Sequence, residues 1–121
     1  MHITKDDIQA MERIDRLNLI NSLSGIKPVN LIGSADADGY ENLAIFSSVV
    51  HLGSNPGLFG FILRPQGEVR RHTYENIQAT GEYTINFVHT TFMKEAHLTS
   101  IKAKDNVSEF ELSGLTPEHI A

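Results

Sequence analysis

Cysteine and tryptophan are both missing from this 121-residue sequence, and proline occurs only four times. Without cysteine there can be no disulfide, no thiolate metal site and no cysteine nucleophile, and a cytoplasmic setting is expected. Long hydrophobic runs are lacking as well. No apolar stretch approaches the ~20 residues of a membrane span, and the polar opening Met1-His2-Ile3-Thr4-Lys5-Asp6-Asp7 is not that of a signal peptide. No membrane partner is expected. Positive charge is scarce: ten Lys and Arg stand against fifteen Asp and Glu, for a net charge of −5. That balance argues against general affinity for nucleic acid, whose backbone is gripped by surplus cations. None of the glycines forms G-x-G-x-x-G or a P-loop.

Several metal and hydrolase signatures are missing too. The six histidines, His2, His51, His72, His89, His97 and His119, form neither H-x-x-x-H nor H-E-x-x-H, so no metal is expected. Asp36 and Asp38 lack the other ligands of a calcium loop. Ser47 has no G-x-S-x-G context, and no acid–base pair or nucleophile stands out.

What remains is an ordinary globular composition, 40% hydrophobic and 21% charged, in a length typical of one domain. A single domain over 1–121 is expected. Residues 4–24 read as one helix: Thr4 and Asp7 suit an N-terminus, and Ile8, Met11, Ile14, Leu17 and Ile20 recur at helical spacing. Gly25 and Pro28 stop it.

From Val29 the period changes. Residues 29–34 read as a strand, and Asp38-Gly39 as a hairpin turn. Residues 42–52 read as a longer strand interrupted by Ser47 and Ser48. Residues 58–63 are apolar on both faces and read as a buried strand. A helix is expected over 68–80, a strand over 83–88 and a helix from Thr91 to about Lys104, with 108–121 irregular. The order is mainly β with flanking helices, rich in antiparallel pairing, and lacks the βαβ alternation of a doubly wound sheet.

The chemistry concentrates between Asn42 and Thr73. Three of the five arginines, Arg64, Arg70 and Arg71, lie within eight residues beside His72. Hydroxyls from Ser47 and Ser48, guanidinium groups and a helix N-terminus would together make a phosphate site. The same residues equally allow a serine pair bonded to neighbouring backbone, with arginines paired to Glu68 or Glu75.

The segments Lys27-Pro28-Val29-Asn30-Leu31-Ile32-Gly33, Asp38-Gly39 and Asn42-Leu43-Ala44-Ile45-Phe46-Ser47-Ser48 resemble the opening of the flavin reductase-like, FMN-binding split-barrel family. Gly60-Phe61-Ile62-Leu63-Arg64-Pro65, Arg71-His72-Thr73-Tyr74-Glu75-Asn76-Ile77 and Thr80-Gly81-Glu82-Tyr83-Thr84-Ile85-Asn86 continue the likeness. It closes with Ser108-Glu109-Phe110 and Gly114-Leu115-Thr116, so that it covers nearly all of residues 20–117.

The resemblance implies an antiparallel split β-barrel over 28–121. It also implies FMN as cofactor, with Asn42, Ala44 and Phe46 along the isoalloxazine ring. Ser47, Ser48 and Arg64 would hold the phosphate, and Arg71 and Thr73 would close the site. Asn86 and His89 would border the site or a dimer interface. Relatives of this family continue beyond the Gly-Leu-Thr stretch, which implies a truncated, incomplete barrel here.

The activity implied is that of an NAD(P)H-dependent flavin reductase or FMN flavoprotein oxidoreductase, a homodimer drawing on NADH or NADPH. Two alternatives stay open: an FMN-binding electron carrier that does not turn over NAD(P)H, and a cofactor-free interaction module of the same fold.

Overall fold

The computed structural model describes residues 2–101 and 107–119. Two short helices lead the chain, α1 (Lys5–Ala10) and α2 (Arg13–Leu23). Thr4 caps α1 as its sequence suggests: its hydroxyl accepts from the Asp7 N–H, and the Asp7 carboxylate accepts from the Thr4 N–H and Oγ1 at 2.8 and 2.6 Å. The single helix expected over 4–24 is broken, because Met11 and Glu12 are extended at ψ 143° and 147°. Neither residue is a helix breaker. The apolar stripe expected to bind the two halves together has no core to face: Ile14 is 60% and Ile20 48% exposed. Packing normally holds such a helix in one piece, and here it does not operate.

Next come β1 (Asn30–Ala35) and β2 (Glu41–Phe46), an antiparallel hairpin in the register Asn30 opposite Phe46 to Ala35 opposite Glu41. Its turn is set by Asp36, whose Oδ1 accepts from the N–H groups of Asp38 and Tyr40, both at 2.9 Å. Gly39 takes φ +87°, a backbone state that costs glycine little. Strands β3 (Val50–Ser54) and β4 (Gly57–Gly60) form a separate two-stranded sheet.

The chain then reaches α3 (His72–Thr80), β5 (Thr84–Phe87), a 3₁₀ turn (Thr90–Phe92), α4 (Met93–Leu98) and α5 (Glu109–Ser113). Strand β5 pairs antiparallel with β1, so the larger sheet runs β2-β1-β5. The two sheets are not closed on one another among the described residues.

Five further expectations are corrected. The strand expected over 42–52 is two strands in different sheets, parted at 47–49, so Ser47 and Ser48 mark the place where the chain leaves one sheet for the other. The segment expected as a buried strand is exposed: Leu58 is 49% and Phe59 59% accessible, because only β3 covers it. The third helix begins at His72 instead of Glu68, since Arg71 at φ −122°, ψ 87° is still extended. The tail is not wholly irregular. Ser108 Oγ accepts from the Phe110 N–H and starts α5, which ends at Gly114. The helix expected as far as Lys104 ends at Leu98, and residues 102–104 lie outside the described ones.

Leu31, Ile32, Leu43, Val49 and Ala96 are buried, with Ile45, Val88, Phe92, Phe110 and Leu115 packed around the Leu31–Leu43–Ala96 cluster. Two buried polar bonds tie α3 to the sheet. Asn76 Nδ2 donates to Ser34 Oγ at 3.2 Å, and Asn42 Nδ2 donates to Thr73 Oγ1 at 2.9 Å. The second fixes the start of α3 beside β2, and the first holds its middle against β1.

Candidate functional site

A cleft of about 740 Å³ opens where β2 ends, a size within the range of small-molecule and cofactor sites. One wall is β2 and its exit, Asn42 to Ser48. The opposite wall is the irregular stretch around Ile62–Arg64 together with Glu68–Thr73, and Thr99–Ile101 and Glu109 close the side. All eight residues singled out from sequence, Asn42, Ala44, Phe46, Ser47, Ser48, Arg64, Arg71 and Thr73, line this cleft. Asn86 and His89 do not. Asn86 Nδ2 donates to the Leu31 carbonyl and to Thr84 Oγ1, and His89 Nδ1 accepts from the Thr91 N–H to cap the 3₁₀ turn.

The eight are not equivalent. Ser48 Oγ accepts from the Ile62 N–H at 3.0 Å and donates to the Ile62 carbonyl at 3.4 Å. It thus clips the segment after β4 to the end of β2, and its hydroxyl is engaged with backbone. Ser47 is exposed. Phe46 meets Phe61 edge-on at 5.2 Å, and Phe61 meets Tyr83 in the same way, which fixes an apolar wall beside Ala44.

Charge is arranged unevenly. Arg70 is 73% exposed and pairs with Glu75 of α3 at 2.5 Å, so its positive charge is partly spent on that helix. Arg64 is exposed along the opposite wall. Arg71 differs from both: it is half-buried, and its Nε is shut off from solvent with no hydrogen-bond partner. A buried donor without an acceptor costs roughly 1–3 kcal/mol, and here it belongs to a residue that lines the cleft and serves as the N-cap of α3. Backbone N–H groups at the start of a helix have no intrahelical partners and favour negative charge. The Thr73 hydroxyl oxygen accepts from Asn42, and its proton finds no acceptor among the described residues. Arginine, hydroxyl and helix start together form a donor-rich pocket suited to an anion.

Residues 24–121 match the flavin reductase like domain. The chain belongs to that family. Among solved structures, it is 51% identical, with a TM-score of 0.92, to a split-barrel protein of Shewanella frigidimarina NCIMB 400 inferred to be a flavin reductase; the match covers 100% of this chain and 59% of that one. Nitrilotriacetate monooxygenase component B from Bacillus cereus superimposes with a TM-score of 0.82 over 100% of this chain and 58% of its own, and at 22% identity that likeness speaks for the fold alone. An uncharacterized protein of Aquifex aeolicus (strain VF5) is 29% identical over 94 residues, 76% of this chain and 47% of that protein. The chain therefore spans about half to three fifths of the length of these relatives.

As a flavin reductase-like domain, the chain has the split-barrel fold that its sequence resembles, with sheets left open among the described residues. Sequence reasoning missed part of the cleft: Thr99, Ser100, Ile101 and Glu109 also line it. Ser108 before two glutamates is a helix-start signal that could have drawn attention to Glu109. Thr99–Ile101 carried no comparable mark.

Proposed function

We propose that this flavin reductase-like chain binds FMN in the cleft and works as an NAD(P)H-dependent flavin oxidoreductase. One observation carries the reading. Eight residues dispersed over 32 positions of sequence, Asn42 to Thr73, line a single cleft in which the Arg71 Nε is buried without an acceptor. An anionic phosphate oxygen would satisfy that donor, and the apolar wall of Ala44 and Phe46 suits a flat ring.

Arg71, the Thr73 hydroxyl and the start of α3 would hold the phosphate, with Arg64 and the Ser47–Ser48 backbone as further donors. Ser48 contributes chiefly by clipping the opposite wall in place. Phe46, braced by Phe61, would keep water from one side of the ring. FMN held there would supply the redox chemistry, with a reduced nicotinamide as hydride donor, while the protein would supply binding, orientation and electrostatics. The reading includes a cytoplasmic setting and a homodimer; the exposed apolar side chains of α2 and β4, which burial against a second copy would cover, support the dimer.

The test is a titration of the purified chain with FMN, followed by anaerobic addition of NADH or NADPH. Saturable quenching of flavin fluorescence, then bleaching of the flavin absorbance by one of the two nucleotides, is expected. Binding without bleaching would leave an electron carrier, and no binding would overturn the proposal.

A further inference from the structure

We propose that Asn42 is a positioning residue that makes the Thr73 hydroxyl an obligatory donor to the anion in the cleft. The inference rests on the phosphate reading above and assigns Asn42 a role different from contact with the ring. Asn42 and Thr73 are each 6% exposed, and both line the cleft. A threonine hydroxyl has one proton and two lone pairs. Asn42 Nδ2 occupies one lone pair at 2.9 Å, so the Thr73 proton is directed away from Asn42.

No acceptor for that proton exists among the described residues, and Thr73 sits two positions after Arg71, whose Nε is likewise unaccepted. Two donors, two positions apart around one helix start, thus lack an acceptor. A hydroxyl left to itself would rotate and accept or donate equally well; the Asn42 amide removes that choice. Asn42 belongs to β2 and Thr73 to α3, 31 residues apart, so the bond also sets the distance between the sheet and the anion end of the cleft.

The test is a double-mutant cycle read as the ratio of FMN to riboflavin affinity, because riboflavin lacks the phosphate. Thr73→Val should lower that ratio roughly ten- to a hundredfold, the worth of a hydrogen bond to a charged group. Thr73→Ser, which keeps the hydroxyl, should restore it. Asn42→Leu should lower the ratio by roughly three- to tenfold, the worth of one neutral hydrogen bond, and should have no further effect on it in the Thr73→Val background.

Should Asn42→Leu fail to fold, Asn42→Ser, too short to reach Thr73, carries the same expectation, with thermal unfolding as the check on integrity. If Asn42→Leu weakens FMN and riboflavin equally while Thr73→Val still lowers the ratio, the positioning role is overturned and the phosphate site stands. If neither Thr73→Val nor Arg71→Ala moves the ratio, the phosphate site itself is overturned.

Discussion

Replacing Arg71 by alanine separates a functional arginine from a decorative one. Arg70 and Arg71 are neighbours in sequence and equal in formal charge, yet their surroundings differ. Arg70 is 73% exposed and bonded to Glu75, an arrangement that contributes about 0–1 kcal/mol in a typical surface pair. Arg71 lines the cleft with its Nε withheld from water.

A charge-assisted contact of the Arg71 guanidinium with a phosphate oxygen should be worth about 1.5–3 kcal/mol, or roughly ten- to 150-fold in Kd. Arg70→Ala should change FMN affinity by less than about fivefold, the most that a screened surface charge supplies. The assay is fluorescence titration of both variants with FMN and with riboflavin at fixed ionic strength, since salt screens any long-range attraction. Arg71→Ala should weaken FMN while leaving riboflavin nearly untouched. Equal losses for the two ligands, or a larger loss from Arg70→Ala, would refute the reasoning.

Two further predictions concern the scaffold. A Cβ added at Gly33 would stand 2.7 Å from Thr84 Oγ1 across the β1–β5 pairing, so Gly33→Ala should destabilise the central strand by about 1–3 kcal/mol in urea unfolding, and adding Thr84→Ala should recover most of the loss. The Asp7 carboxyl is held below its ordinary value, first by the Thr4 hydroxyl and then by the Thr4 backbone N–H. A depressed folded-state value means that its contribution to α1 is present at neutral pH and is lost as pH falls through that value; the protection of the α1 amides, taken relative to their intrinsic exchange rates, should therefore fall at acid pH, and Asp7→Asn should abolish the dependence.

The fold was legible where local chemistry and burial agree. Asp38-Gly39 announces its turn, the β1 and β2 segments on either side of it pair as a hairpin, and Ser47 and Ser48, polar in an apolar run, do lie at the cleft. The meaning of that serine pair was harder to read. In sequence it looks like a blemish inside one strand, whereas in three dimensions it is the point where the chain changes sheets, with Ser48 bonded to the Ile62 backbone.

Elsewhere the signal was of the wrong range. The stripe of Ile14, Leu17 and Ile20 predicts a packed helix, but packing depends on a partner surface that periodicity does not contain. Glu68–Arg71 has the composition of a first helical turn, yet Arg71 stays extended and serves as the N-cap. Short α5 escaped notice because five residues are too few to display a period.

The central claim, that Arg71, Thr73 and the start of α3 grip a phosphate ester, is tested most directly by a crystal structure of the chain grown with FMN. The account predicts phosphate oxygens within about 3 Å of Arg71 Nε and Thr73 Oγ1, with the ring against Ala44 and Phe46. A flavin seated instead in the apolar groove of Val29, Val88, Met93 and Leu98, or a phosphate turned to solvent with Arg71 Nε still unpartnered, would contradict it.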